Sequence, residues 1–224
     1  DMVSTAGTIT NLYVNINTAP ALTQNISFTL MLNGNSTALT CTISNTATTC
    51  NDTSDSIAVV AGDKVSIRYI TSLTATVTAA SHWGFLFKPT IDGESLVLFG
   101  GGTPSATATN YSGIFERGNY NATESNVQQL SQGNHTLKKL YVVLNTDPAN
   151  GAGVQSYAIT VMKNGVATNI TCTVTEGSTT CSNLVNTANF VDGDLVDYRI
   201  VPANTPVTSV MHMGLVSLIK RRRW

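Results

Sequence analysis

The four cysteines are the residues of this chain whose spacing specifies a chemistry most clearly. They form two C-x8-C pairs, Cys41 with Cys50 and Cys172 with Cys181. If each pair faces across a hairpin, Asn45-Thr46 and Glu176-Gly177 become the two-residue turns, and Asn and Gly supply the positive φ that such turns require. The spacing therefore predicts two disulfides, each joining neighbouring strands. Zinc binding is the alternative, but the pattern lacks the short paired spacings and nearby histidines of zinc sites.

The predicted disulfides also indicate where the protein works. A ring of about ten residues closed in this way stabilises a fold by roughly 2.5 to 3 kcal/mol in the chain-entropy model. Because such bonds persist in oxidising surroundings, we expect an extracellular protein or a virion component. The sequence has no apolar run of the roughly 18 residues that cross a bilayer, so we expect a soluble or peripheral protein.

Other residues that could take part in catalysis or metal binding have simpler structural explanations. His82 and His212 occupy matching strand-like segments, and the pattern places no carboxylates or further histidines beside them. Gly100-Gly101-Gly102 is similar to a phosphate-binding loop but lacks the following lysine, which favours a flexible linker. The acidic loops at 51–55 and 192–194 suit either calcium or ordinary turns. The sequence therefore predicts no catalytic residue, no metal site and no cofactor, and hence a protein that is not an enzyme.

The chain contains the same motifs twice, in the same order. The first copy has Leu12-Tyr13-Val14, Asn33-Gly34, Gly62-Asp63 and His82, and the second has Leu140-Tyr141-Val142, Asn164-Gly165, Gly193-Asp194 and His212. The offset is 128 residues at the start, 131 in the middle and 130 at the end, so the copies differ by short loop insertions. This indicates an internal duplication. We predict a first module at residues 1–89, a connection at 90–109 and a second module at 110–224 that ends in a basic tail.

Short segments of alternating apolar and polar residues dominate the sequence. Residues 9–16, 27–32 and 65–70 are examples, and turn residues interrupt the pattern at short intervals. Asn33-Gly34 and Asn164-Gly165 directly follow such segments and predict type I′ hairpin turns. We therefore predict an all-β protein of two tandem antiparallel β-sandwich domains that are jelly-roll-like. An immunoglobulin-type sandwich is disfavoured because the predicted disulfides join neighbouring strands rather than opposing sheets.

The residues between the two modules have no counterpart before the first module. A sandwich that lacks an edge strand exposes unpaired backbone and apolar surface, so another part of the chain or a neighbouring subunit must complete it. We expect the Gly- and Thr-rich connection at 90–109 to donate a strand, for example from residues 95–99. The alternative candidate for this inter-module or inter-subunit strand comprises Tyr111, Ser112, Gly113, Ile114 and Phe115.

The polar surface offers two further kinds of site. Seven N-x-S/T sequons are candidates for glycosylation, at Asn25, Asn35, Asn51, Asn110, Asn121, Asn134 and Asn169. Charged residues form only 11% of the chain and the net charge is -1, which disfavours nucleic-acid binding by the body of the protein. The exception is a C-terminal candidate contact for nucleic acid or membrane, formed by Lys220, Arg221, Arg222, Arg223 and Trp224. A solvated end is the alternative.

The order of the short motifs resembles a known kind of module. Residues 6–14 have the sequence AGTITNLYV, and they are followed by a strand-Asn-Gly-strand pattern, a Thr-rich hairpin and Ala61-Gly62-Asp63. Residues 121–126, before the second copy, are similar. This order resembles the β-sandwich modules of virion structural proteins and of microbial extracellular surface proteins. The resemblance covers most of both modules, implies a role in assembly and brings no catalytic residues with it.

Two functions are compatible with these features. The first is a non-enzymatic structural subunit that self-assembles into a virus capsid or extracellular filament by lateral packing of tandem jelly rolls, with copies of itself and other virion or surface proteins as partners. The second is a secreted carbohydrate-binding or adhesion protein with glycans as partners. That function needs exposed aromatic residues, for which the candidates are Tyr111, Phe115, Tyr120 and Trp224.

Overall fold

The protein is built almost entirely from antiparallel β-strands. The computed structural model describes residues 1–72, 80–115, 118–151 and 153–219. In these ranges the strands are accompanied by one short 3-10 helix, Glu124–Asn126, and no helix is long and apolar enough to cross a membrane. The chain divides into two compact units. The first unit is Ala6–Ile91, and the second unit is Asp1–Thr5 together with Asp92–Trp224.

The first unit is a sandwich of two three-stranded sheets, with strand orders β4-β1-β6 and β3-β2-β5. Its strands are β1 (Gly7–Ile16), β2 (Asn25–Leu32), β3 (Asn35–Ser44), β4 (Thr49–Val59), β5 (Val65–Thr71) and β6 (Ser81–Pro89). A bulge in β1 at Asn11, whose φ is 56°, lets both Ile9 and Leu12 face the core although they are an odd number of residues apart. The bulge interrupts the alternation of β1, and from Leu12 onward every second residue again faces the core.

The second unit has the same two sheets with additional strands. It contains β7 (Glu94–Gly102), β8 (Asn110–Ser112), β9 (Gln129–Leu130), β10 (His135–Leu144), β11 (Ser156–Lys163), β12 (Val166–Thr175), β13 (Thr180–Phe190), β14 (Leu195–Ala203) and β15 (Met211–Ile219). The strand orders are β13-β10-β15-β7 and β12-β11-β14-β8, and β9 also pairs with β14. Its core is formed by buried aromatic and aliphatic side chains, including Phe99, Tyr157, Phe190 and Tyr198 of the two sheets and Ile114, which follows β8.

The predicted all-β class with antiparallel sandwiches is confirmed. Strands β10 to β15 follow the order of β1 to β6, and the bulge at Lys139 (φ 55°) matches the one at Asn11. Both Asn-Gly turns have two positive φ values, 52° and 83° at Asn33-Gly34 and 52° and 76° at Asn164-Gly165, as type I′ turns require. The matching strand orders agree with the repeated motifs, and duplication as their origin stays a prediction.

Both predicted disulfides are present, but the predicted pairing of their strands is wrong. Cys41 and Cys50 have Cα atoms 5.7 Å apart, and Cys172 and Cys181 have Cα atoms 5.8 Å apart. The tight turns form where expected, since Ala47 N–H donates to Ser44 O at 3.1 Å. After the turn, however, β4 pairs with β1 while β3 pairs with β2, so each disulfide joins the two opposing sheets.

The chain can change sheets because two further residues separate the turn from β4. Thr48 O accepts from Ile16 N–H at 2.9 Å and so starts the pairing with β1 instead of with β3. Buried residues of β3, among them Leu39 and Ile43, need cover from a facing sheet, which a continued hairpin does not supply. A disulfide between opposing sheets is also typical of immunoglobulin-type sandwiches, so the cysteines do not disfavour that class.

The segment between the predicted modules completes the second unit instead of the first. Residues 95–99 lie in β7, which pairs with β15, and Tyr111 and Ser112 lie in β8, which pairs with β14. Gly113, Ile114 and Phe115 follow β8 outside any strand, and the N–H groups of Ile114 and Phe115 donate to Gln129 Oε1. Val97, Phe99 and Ile114 fill the core of the second unit, which explains why these segments stay within it.

Two other sequence-based expectations change in the structure. The run Gly100-Gly101-Gly102 is the end of strand β7 and not a flexible linker, and a side chain at Gly102 would overlap the backbone of Gly118. The first five residues, predicted to belong to the first module, lie in the second unit. No periodic pattern marks these five residues as part of the second sandwich.

Candidate interaction surface of the first unit

The two units differ in how the outer strands of their sheets are covered. In the second unit β15 pairs with β10 and β7, and β14 pairs with β11, β8 and β9. In the first unit, β6 pairs only with β1 and β5 only with β2, as far as the described ranges go. The strands of the first unit that correspond to β15 and β14 are therefore the outermost strands of their sheets.

The register in which β6 pairs with β1, and β15 with β10, shows which residues of β6 and β15 correspond. Val14 lies opposite Trp83 and Val142 opposite Met213, so Trp83 corresponds to Met213. By the same register Leu86 corresponds to Val216. Trp83 is 41% exposed and Leu86 45% exposed, whereas Met213 and Val216 are fully buried. The same strand positions are thus core in one unit and surface in the other.

Three aromatic residues of β6, Trp83, Phe85 and Phe87, alternate along the strand and form what we call the aromatic strip. Trp83 lies opposite the buried Val14 and Phe87 opposite the buried Ile9, so the strip faces the inner side of the sandwich. The rings of Trp83 and Phe85 are stacked with centroids 6.0 Å apart. The strip is half-buried to exposed, which leaves aromatic surface at the rim of the first unit.

The strand β5 shows the same contrast. Tyr69 lies opposite Phe28, as Ile200 of β14 lies opposite Ile159, and Tyr69 is 60% exposed whereas Ile200 is fully buried. In the second unit the space beside β14 is filled by Phe99, whose ring centroid lies 5.9 Å from Tyr198 and 6.0 Å from Tyr120. An equivalent of Phe99 is missing from the described part of the first unit, so apolar surface remains uncovered.

A second feature of the first unit is a groove on the outer face of its β4-β1-β6 sheet. It has a volume of about 530 Å³ and is lined by Tyr13, Val14, Asn15, Thr49, Cys50, Asn51, His82, Trp83 and Gly84. Tyr13 is 52% exposed and lies opposite Gly84 in register, so the missing side chain of Gly84 opens the space beside the tyrosine ring. We call this the Gly84 groove.

The corresponding face of the second unit is occupied by the first five residues of the chain. Tyr141 lies opposite Gly214 as Tyr13 lies opposite Gly84. Residues 2–5 are buried, and a side chain at Gly214 would overlap the backbone of Met2. Ser4 Oγ donates to Leu215 O at 2.6 Å. A glycine inside a strand destabilises it by roughly 0.5 to 1 kcal/mol relative to alanine, and at Gly214 the close backbone of Met2 explains the glycine.

A buried carboxylate anchors the end of this segment. Glu94 is 2% exposed, accepts a hydrogen bond from Thr5 Oγ1, and forms ion pairs with Lys138 at 2.6 Å and Lys139 at 3.1 Å. Burial raises the pKa of Glu94, but the hydrogen bonds from Lys138, Thr5 and Lys139 outweigh it and hold the pKa below its ordinary value of 4.5. The carboxylate therefore stays ionised where it fixes the segment.

The candidate glycosylation sites fall into two groups. Asn25, Asn35, Asn51, Asn134 and Asn169 are exposed, and Asn121 is half-buried. Asn110 is 8% exposed and its side chain accepts a hydrogen bond from Ser105 N–H, so it is not accessible for a glycan in the folded chain. Asn51 lines the Gly84 groove, where a glycan would occupy the space beside Tyr13.

Among the described residues, the other predicted binding residues differ in their exposure. Phe115 is 63% exposed, but Tyr120 packs against Phe99 in the core, and burial raises the pKa of Tyr120 above its ordinary value. Tyr111 lies half-buried in β8. The C-terminal run at 220–224, which includes Trp224, lies outside the described residues. Of the described candidates, only Phe115 is well exposed, so Tyr111, Phe115 and Tyr120 do not by themselves form the aromatic platform expected for an adhesion protein.

The histidines and acidic loops have structural partners. His82 lies at the Gly84 groove, and His135 stacks on Phe190 with ring centroids 5.6 Å apart. Asp52 accepts hydrogen bonds from the N–H groups of Thr40, Ser54 and Asp55. Within the ranges that the structure covers, no group of three or more His, Cys, Asp or Glu residues is arranged to hold a metal ion.

The Gly84 groove and the segment that fills its counterpart were not predicted from the sequence. A signal was present, because the repeated motifs His82-Trp83-Gly84 and His212-Met213-Gly214 both end in glycine. Neither glycine has a positive φ, so a turn does not account for them. A glycine at the same strand position in both copies indicates close approach of another backbone.

Comparison with known proteins does not identify a family. No protein-family model matches the sequence, and no curated protein matches it either. The crystal structure of the infectious bursal disease virus VP2 subviral particle is similar at 12% identity with a TM-score of 0.21. The similarity covers 95% of this chain and 56% of that chain, so this chain spans little more than half the length of the other protein.

Proposed function

We propose that the protein is a non-enzymatic structural subunit of a virion or an extracellular filament, built by lateral packing of identical copies. The observation that supports this best is the outermost strand β6 with its aromatic strip. In the second unit the corresponding strand is covered by β7. An outermost strand with exposed apolar side chains favours pairing with another chain, because both backbone hydrogen bonds and apolar contacts are gained.

The β6 sequence is suited to pairing with itself. In an antiparallel pair centred on Phe85, each Trp83 lies opposite the partner's Phe87, and the two Phe85 side chains face one another. Cross-strand aromatic pairs contribute about 0.2 to 1 kcal/mol each. Lys88 is the only formally charged residue of β6, and this register places it opposite a histidine instead of another lysine. Such a two-fold contact continues the sheet from one copy into the next.

The remaining properties are compatible with this role. A net charge of -1 gives little repulsion between identical copies. The two disulfides join opposing sheets and resist unfolding in oxidising surroundings. The second unit supplies a second sandwich in each copy, and a subunit that makes contacts through more than one surface can extend an assembly beyond a dimer.

Sedimentation velocity and negative-stain imaging of the full chain, at increasing concentration, test the proposal. We expect concentration-dependent assembly for the wild type and its loss in Leu86→Lys, because a lysine on an outermost strand opposes strand pairing. Val185→Lys is the matched control, since Val185 is 87% exposed on β13, a strand of the second unit that takes no part in the proposed contact. Assembly that is equal in both variants would exclude β6 as the contact. A wild-type protein that stays monomeric at all concentrations and binds glycans would favour the adhesion function instead.

A cysteine scan of β6 tests the register. All four native cysteines are in disulfides, so an introduced cysteine is the only thiol. In the proposed pair, position 85 faces itself at a Cα separation of about 5 Å, which permits a disulfide. Ser81→Cys is the control, because the two positions 81 would be about 27 Å apart at 3.4 Å per residue. We expect covalent dimers from Phe85→Cys and none from Ser81→Cys.

A further inference from the structure

We propose that the Gly84 groove is a binding site for an extended peptide segment of another protein, whose backbone lies directly against Gly84. The proposal goes beyond the assembly function, because it concerns the outer face of the β4-β1-β6 sheet and not the edge of β6. It is supported by the second unit, where the equivalent groove and its peptide are both present.

The two grooves have the same backbone and differ in what fills them. The register pairs Tyr13 with Gly84 and Tyr141 with Gly214. At Gly214 a side chain would overlap Met2, whereas at Gly84 no atom of the described residues lies within 4 Å of the position that a Cβ would take. Because Gly84 has no positive φ, the backbone does not require glycine there. By analogy with Gly214, we infer that glycine occupies position 84 because it leaves room for the backbone of a bound peptide.

Residues 2–5, which fill the groove of the second unit, indicate the chemistry of the ligand expected at the Gly84 groove. Met2 and Val3 are buried, and Ser4 Oγ donates to the carbonyl oxygen of Leu215. The residue that corresponds to Leu215 is Phe85. The expected ligand is therefore extended, with two apolar residues beside Tyr13 followed by a serine or threonine whose hydroxyl donates to Phe85 O.

The charge of the site also differs between the units. In the second unit Thr5 Oγ1 donates to Glu94 and accepts from Lys139 Nζ, and Lys138 forms an ion pair with the same Glu94 carboxylate. The positions of the first unit that correspond to the two lysines are Thr10 and Asn11, which carry no charge, and the groove is lined by neutral residues such as Asn15, Thr49 and Asn51. We therefore expect an uncharged ligand segment, held by hydrogen bonds and apolar contact.

The occupant is not the Asp1–Thr5 segment of a second copy. Each chain has two grooves and one such segment, and that segment lies in its own second unit. Exchange between copies would therefore empty one groove for each one that it filled. A segment of a different polypeptide fills the Gly84 groove without this loss.

An NMR titration of the ¹⁵N-labelled full chain, produced without N-glycosylation because Asn51 lines the groove, tests the proposal. The probe is the N-acetylated and C-amidated peptide Met-Val-Ser-Thr-Ala, which has the sequence of residues 2–6 and carries no charge. We expect saturable shifts of the amide signals of Tyr13, His82 and Gly84. In Gly84→Val we expect binding to be weaker by at least about tenfold, because the new side chain occupies the place of the peptide backbone.

Gly84→Val is a suitable variant because valine is favoured in strands and meets no atom there, so the fold should be retained. Val185→Ala is the matched control and should bind like the wild type. Shifts that persist in Gly84→Val, or no saturable shift in the wild type, would overturn the proposal, as would saturable glycan binding at these signals in place of the peptide. Phe87→Thr separates the two proposals, because Phe87 belongs to the aromatic strip on the opposite face of β6 from Gly84 and does not line the groove, so this variant should weaken assembly and keep peptide binding.

Discussion

Asn164 and Asp194 link two turns of the second unit through their side chains. Asn164 Nδ2 donates to Asp194 Oδ1 at 2.7 Å, and Leu195 N–H donates to Asn164 Oδ1 at 2.7 Å. Asn33 and Asp63 make the same link in the first unit, where the side-chain hydrogen bond is also 2.7 Å long. The repeated Asn-Gly and Gly-Asp motifs therefore act together. In the first unit they join the β2-β3 turn to the start of β5, and in the second unit they join the β11-β12 turn to the start of β14.

Removing the asparagine should destabilise the second unit in a graded way. Asn164→Gly loses both hydrogen bonds and should cost about 1 to 2 kcal/mol. Asn164→Ala should cost about 1 kcal/mol more, because the φ of 52° at this position is unfavourable for alanine. Urea unfolding of both variants measures the difference. Equal stability of the two variants would mean that the turn relaxes to another conformation.

The ion pair of Asp194 should make the second unit sensitive to acid. Lys163 lies 2.8 Å from the Asp194 carboxylate and, with hydrogen bonds from Val191 and Asn164, lowers the pKa of Asp194 to about 2. A depressed folded-state pKa contributes stability that is present above the ordinary value of 3.8 and is lost as the pH falls toward 2. Asp194→Asn should flatten this part of the stability profile, measured by urea unfolding between pH 2 and 5. A profile parallel to that of the wild type would contradict the prediction.

Glu94 should contribute to the acid sensitivity of the Asp1–Thr5 anchor. Its pKa lies below the ordinary 4.5, so its stabilising effect is present above that pH and is lost as the pH falls through the depressed value. Glu94→Gln breaks a buried pair and should cost roughly 3 kcal/mol at neutral pH. Hydrogen exchange of the backbone amides of Met2 and Val3 should rise in the same variant. Unchanged protection of those amides would mean that Glu94 does not anchor the segment.

Asp197 should produce the opposite pH dependence. Its side chain is fully buried, and burial, together with the charge of Glu124, raises its pKa to about 7 against the opposing effects of Gln128 and Arg199. The unfolded chain loses this proton near 3.8, so the folded state holds more protons between pH 4 and 7 and stability falls as the pH rises. The effect is at most about 4 kcal/mol. Asp197→Asn should be more stable than the wild type at pH 8 and similarly stable at pH 4, as measured by urea unfolding. A variant that is less stable than the wild type at pH 8 would contradict the raised pKa of Asp197.

The disulfides should stabilise the two units separately and to a similar extent. Each closes a loop of the same size, with a sequence separation of 9, so Cys→Ala at both positions of a pair should cost about 2.5 to 3 kcal/mol. In a Trp224→Phe background, unfolding of the first unit can be followed by the fluorescence of Trp83, which lies in β6 and is then the only tryptophan of the sequence. A variant without Cys41 and Cys50 should shift that transition, and a variant without Cys172 and Cys181 should leave it nearly unchanged.

Local sequence patterns predicted the strands and turns well, because these depend on neighbouring residues. The Asn-Gly turns and the positions of the four cysteines are examples. The partners of the strands were harder to predict, since only two residues, Ala47 and Thr48, decide whether the chain after the turn stays in its sheet or crosses to the other. Alternation of apolar residues is the same in both cases.

The interaction surface was harder still to predict from the sequence, because it depends on residues that are distant along the chain. The exposure of Trp83 becomes informative only when β6 is compared with β15 and its neighbour β7. The burial of residues 2–5 could not be predicted, because five residues without a period carry no information about the sheet that receives them. The repeated glycines at 84 and 214 were the one visible trace of both grooves.

The hydrogen bond between Ser4 and Leu215 closes a loop of 211 residues, which has a consequence for biosynthesis. Loop closure over such a distance is slow compared with hairpin formation, so the contact should form late in folding. During translation the first five residues emerge long before the strand that receives them. Until β15 is made, the apolar residues Met2 and Val3 lack the sheet that buries them, and this interval is when a chaperone would have most to protect.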